Sequence, residues 1–124
     1  MKMSVLVTTL AIATMTLGSG VRLAAHHSHA MFDMSQELTL VGTINKVVFR
    51  NPHVMMYVDV KKPDGDVESW SVEMSTIDNE QRRGLYKDSL KPGEMVTVKL
   101  HPLRDGRKGG NYTSITTADG KTYD

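Results

Sequence analysis

Five side chains could donate to a metal ion: His26, His27 and His29 in "AAHHSHAMFD" (24–33), and His53 with Met55 in "NPHVM". Three of the chain's five histidines fall within four positions, directly after an apolar leader. An α-amine titrates near pH ~8 and an imidazole near pH ~6.5, so both offer a lone pair at neutral pH for little proton cost. If the leader is cut after Ala25, the mature chain begins at His26 and presents both groups to one ion. A third nitrogen from His27, His29 or His53 would complete the T-shaped or tetragonal nitrogen set that copper(II) favours. His53 and Met55 lie two residues apart, hence on one face of an extended strand, and imidazole with thioether suits copper(I). Met31, Met34 and His101 widen the pool of soft donors. Copper therefore ranks ahead of zinc, since there is no cysteine for a thiolate zinc or iron–sulfur site and none for a thiol nucleophile.

Plainer uses compete for the same residues. His53, after Asn-Pro, can cap a turn; Met55 can fill a packing gap. His101, before Pro102, can bond loop backbone, and residues 26–29 can be an inert polar arm. The cut site also matters. Cleavage after Ala24 would begin the chain "AHH" and let the amine, two amides and His27 wrap copper or nickel in a plane, though Arg22 at −3 disfavours it. Cleavage after Ala30, with Ser28 at −3, would discard all three histidines.

These residues need elements to hold them. Residues 1–25 read as a secretory signal peptide: Lys2, an uncharged run from Met3 to Leu17, then the small-residue segment "GSGVRLAA". That run is short for a bilayer span, so the expected location is periplasmic or secreted, with no membrane span after cleavage and an uncleaved anchor as the alternative. Removing Lys2 and Arg22 takes Lys plus Arg from 15 to 13 against 14 Asp plus Glu, a formal balance of −1. With no basic stripe, nucleic acid is excluded as an expected partner.

Residues 26–36 form a His/Met-rich N-terminal arm, and 37–124 a single domain. Within it Leu38, Leu40, Gly42 and Ile44 alternate with Thr39, Val41, Thr43 and Asn45, and Gly42 predicts a bulge or sharp bend. "RNP" ends this strand near Phe49. "HVMMYVDV" is a second strand, "KKPDGD" a hairpin turn, and "VESWSVEM" a third strand. "STIDNEQRRGLY" breaks the alternation; Ser75 with Asp78 resembles a capping box and Gly84 a stop, predicting a helix of two to three turns. Arg82 and Arg83 are expected on its solvated face. Val96, Val98 and Leu100 mark a fourth strand, "HPLRDGRKGGN" a long glycine-rich loop over the barrel mouth, "YTSITT" a fifth strand, and the rest a short tail. Three strands, a short helix and two strands predict an all-β fold with one helix, a small five-stranded Greek-key barrel of the OB type.

Several stretches together resemble a family of small exported bacterial proteins of unknown function. They are "AHHS" with "AMFD", "NPHV" (51–54), "RRG" (82–84), "DSLKPGE" (88–94) and "HPLRDGRKGG" (101–110), within a similarity running from His26 to Tyr123. The resemblance implies export and one small β-barrel-like domain, and brings no activity. That family tends to carry an aromatic where this chain has His29, Met55 and Leu85; two of these departures replace a ring with a potential ligand.

Other chemistry is thin. Asp33, Asp59, Glu68 and Glu73 are not spaced as an acid–base pair, no serine sits in a nucleophile elbow, and "DGRKGG" lacks the setting of a phosphate loop. An enzyme is the least supported reading. Two readings lead: a copper-binding carrier or accessory protein using His26, His27, His29, His53 and Met55, or a non-enzymatic interaction module in which Tyr57, Trp70 and the glycine-rich loop meet a small apolar ligand or a partner protein.

Overall fold

A computed structural model describes residues 29–124. The expected signal peptide, with His26 and His27, lies outside the described residues. From Leu38 onward six strands and one helix run in the order β1 (Leu38–Val48), β2 (Met55–Lys61), β3 (Val67–Glu73), α1 (Ile77–Arg82), β4 (Met95–Pro102), β5 (Gly109–Thr117) and β6 (Thr122–Tyr123). The sheet order is β3-β2-β1-β4-β5-β6, and a parallel pairing of β3 with β5 closes the first five strands into a barrel. This is the expected β-β-β-α-β-β barrel, with β6 an added edge strand in what reads as a tail. Among the described residues no helix is long and apolar enough to cross a membrane.

Alternation decides what fills the barrel. Leu40 and Ile44 of β1, Met56 and Val58 of β2, and Trp70 and Val72 of β3 point inward. They meet Val96, Val98 and Leu100 of β4, with Tyr112 and Ile115 of β5. Polar neighbours at odd steps stay at the surface, as the pleat requires.

Strand β1 is shared: Leu38–Thr43 pair with β4 and Thr43–Val48 with β2. The bulge expected at Gly42 lies instead between Ile44 and Lys46. Gly42 serves the same curl differently. A Cβ there would stand 2.5 Å from the Asp59 carbonyl oxygen and 2.7 Å from Val58 Cγ1, so only glycine lets β1 lie this close to β2.

The glycine-rich segment is likewise not a loop throughout. Only Leu103–Lys108 turn; Gly109 and Gly110 belong to β5 and carry the closing contact, Gly109 opposite Ser71 and Gly110 opposite both Val72 and Pro102. A Cβ on Gly110 would fall 2.4 Å from the His101 carbonyl oxygen, and one on Gly109 2.5 Å from Ser71 Oγ. The two glycines permit the approach of three strands.

The helix is shorter than expected, at six residues, and its cap is Thr76 rather than Ser75: Thr76 Oγ1 accepts from the Asn79 amide at 3.3 Å. Asn51 Oδ1 accepts from the Ile77 amide at 2.9 Å, tying the helix start to the β1–β2 turn. The stop at Gly84 holds. Its φ of +84° lets the Leu85 amide reach the Glu80 carbonyl at 2.9 Å and the Gly84 amide reach that of Gln81 at 3.0 Å, which satisfies two end carbonyls.

Candidate functional site

The arm is docked from its first described residues. Phe32 is buried and bridges to Leu103 of the β4–β5 hairpin, while the Asp33 amide donates to the Pro102 carbonyl at 2.8 Å and the Arg104 amide to that of Met31 at 2.9 Å. Farther along, His101 Nδ1 lies 2.6 Å from the Gln36 carbonyl oxygen, so this histidine bonds backbone, that of the arm. Asp33 folds the arm on itself. Its carboxylate accepts from Ser35 Oγ and Gln36 Nε2, each at 2.6 Å, and from the Ser35 amide at 3.1 Å. These bonds from Ser35 and Gln36 hold its carboxyl below the usual range.

Docking brings His29 to a polar cleft of about 280 Å³ whose other walls carry His53, Glu73, Arg83 and Tyr112. His53 lies not in β2, which begins at Met55, but in the preceding turn. Val54 continues the ladder toward β3, donating to the Ser75 carbonyl and accepting from the Met74 amide, both at 2.9 Å. That pairing sets His53 Nδ1 3.2 Å from the Met74 carbonyl oxygen and 3.5 Å from Glu73 Oε1. Both neighbours only accept, so Nδ1 carries the hydrogen, and in the neutral imidazole the lone pair then lies on Nε2. This is how imidazole ligands are usually oriented, with the other ring nitrogen donating to a carbonyl or carboxylate.

Behind the cleft lies a buried carboxylate, Glu80. It accepts from the Ser75 amide at 2.7 Å, from Tyr112 Oη at 2.6 Å and from Arg83 Nη1 at 3.4 Å, and Arg83 Nη1 also donates to Tyr112 Oη at 2.7 Å. Burial, then the Glu80 carboxylate, pushes the Tyr112 hydroxyl well above its ordinary value, so it remains a neutral donor. Arg83 is exposed, as expected from "RR", but it is also tied to the buried pair behind the cleft. Arg82 faces water and bonds Asn79, whereas Arg83 turns back over the Tyr112 ring. Its charge is offset by Glu80, which leaves Glu73 as the cleft's unbalanced carboxylate. The local field favours a cation.

The remaining expected site residues are separated. Met55 shares a face with Glu73, its partner across the β2–β3 ladder, but does not itself line the cleft. Tyr57 and Trp70 do not share a face. Tyr57 is opposite Ser71 while Trp70 is opposite Val58 and buried, so one ring faces outward and the other in. Among the described residues, no three histidine or acidic side chains converge as a ready metal site. Sequence reasoning missed Glu80, Arg83 and Tyr112 as a unit. The available signal was an acidic residue followed three positions later by arginine in a short helix, a pattern common on solvated surfaces.

The fold has a counterpart among solved structures. The mitochondrial single-stranded DNA binding protein Rim1 of S. cerevisiae superposes with a TM-score of 0.51 at 14% identity, over 69% of this chain and 97% of that one. At that identity the likeness is one of fold. No curated protein matches the sequence. A family model does, over residues 15–113: the chain belongs to the family of unknown function DUF6152.

Proposed function

We propose that this barrel is an exported metal-binding module, a carrier or accessory protein rather than an enzyme, which takes copper(II) in the cleft between His29 and His53. The observation that carries the reading is the docked arm. It brings an imidazole from position 29 to the same cleft as one from position 53. His53 supports it further, since its Nδ1 is occupied by acceptors and its Nε2 is left as a donor. His26 and His27 precede His29 by three and two residues, a reach of at most about 11 Å at ~3.3–3.6 Å per residue. A cut after Ala25 would add the α-amine of His26. Amine and imidazole donors without thiolate favour copper(II) over zinc. The cleft's charge balance, with Arg83 offset by buried Glu80, suits a cation.

Intact mass of the exported protein gives its first residue. Copper(II) titration of that species should show one equivalent bound, with a visible d–d band of nitrogen coordination. His53→Ala and His29→Ala should each weaken binding at least about tenfold, some 1.4 kcal/mol. A chain starting at Met31, or copper affinity indifferent to both substitutions, overturns the reading.

A further inference from the structure

A second cleft, of about 240 Å³, lies between the arm, β3 and the β4–β5 hairpin, and shares no lining residue with the first. Its apolar walls are Trp70, Leu38, Pro102 and Leu103, and its rim carries Arg104, Arg107 and Lys108. We propose that it binds a small amphipathic anion, a flat apolar or aromatic body bearing one carboxylate, sulfonate or phosphate group.

Charge and shape favour this class. The hairpin supplies three cations, and Asp33 is the one carboxylate in the lining. Asp33, whose oxygens accept from Ser35 and Gln36, stays negatively charged and faces Arg104, so it offsets one of the three cations. Arg104 makes no ion pair within 4 Å among the described residues, its nearest opposite charge in the cleft being Asp33. Arg107 gives Nε to Asp105 at 2.7 Å, and its terminal nitrogens make no hydrogen bond among the described residues. Lys108 is more fully engaged, 3.7 Å from Glu68 and 5.4 Å over the indole of Trp70. The two arginines are therefore the anion's partners, with planar forks suited to carboxylate or phosphate oxygens. Trp70, Pro102, Leu38 and Leu103 give an apolar wall against which a ring loses water. The volume is below the ~300–1,000 Å³ of drug-sized sites, which points to one or two rings.

Trp70 is the chain's only tryptophan and lines this cleft, so its emission responds to an occupant there. The full mature protein is titrated with naphthalene-2-sulfonate and, separately, with the neutral 2-naphthylmethanol, following emission and calorimetric heat. The sulfonate should bind saturably and at least tenfold more tightly than the alcohol. Arg104→Gln combined with Arg107→Gln should abolish most of that difference without moving the thermal midpoint, since both side chains are exposed. His53→Ala should leave the binding unchanged. Absence of a saturable signal, equal affinity for the neutral analogue, or a double variant that binds the sulfonate as well as the parent overturns the proposal.

Discussion

Glu80 shows how much depends on single atoms in this chain. A fully buried carboxylate is costly unless every lone pair is met, and here the Ser75 amide, Tyr112 hydroxyl and Arg83 guanidinium meet it. Tyr112→Phe should therefore destabilise the fold by about 1–3 kcal/mol, although it removes one oxygen, because Glu80 loses its shortest bond. Urea unfolding gives the value. The same pair sets an alkaline limit. The Tyr112 hydroxyl titrates higher folded than unfolded, so its contribution is complete below the ordinary tyrosine value near ~10 and is lost as pH rises beyond it. The parent should lose stability above about pH 10, and Tyr112→Phe should flatten that decline. None of this is legible in "IDNEQRR". What buries Glu80 is a tyrosine 32 residues away, and residue type alone does not reveal it. His53 was legible as a candidate because an imidazole keeps its chemistry wherever the chain places it.

Among elements, the strands followed their alternation and the exceptions are glycines. "HPLRDGRKGGN" reads as loop by composition, yet Gly109 and Gly110 open a strand because β3 and β4 come too close for any Cβ. Such close approach is a tertiary fact that period-2 patterning does not carry. Gly110→Ala should consequently cost about 1–3 kcal/mol through a clash with the His101 carbonyl. Gly106→Ala, in open space at φ +81°, should cost only about 1 kcal/mol. Denaturant midpoints of the two variants order them, and a reversed order would mean that the closing contact can relax. Met55 shows the limit of spacing arguments. Two residues apart puts two side chains on one face only inside a strand, and β2 starts after His53.

At the scale of the molecule, arm and barrel behave as one body. Phe32 is buried against the hairpin while standing outside the main core cluster. Phe32→Ala should therefore cost about 3 kcal/mol, leave the barrel folded, and release the arm. Copper affinity should fall at least tenfold in this variant although no donor has been touched. Circular dichroism beside the copper titration separates loss of the arm from loss of the fold. The closed barrel, joined by pairings between distant strands, should refold in milliseconds to seconds, as stopped-flow Trp70 fluorescence would record.

The strapped arm also has a practical side. Whatever precedes Met31 is tethered within a few residues of the imidazole cleft, whereas β6 pairs with β5 at Ile115 and Thr116. A purification handle or fusion partner joined at the front would crowd that opening and mask the amino terminus. The same handle at the back would leave it clear, so measured affinities will depend on which end the experimenter chooses.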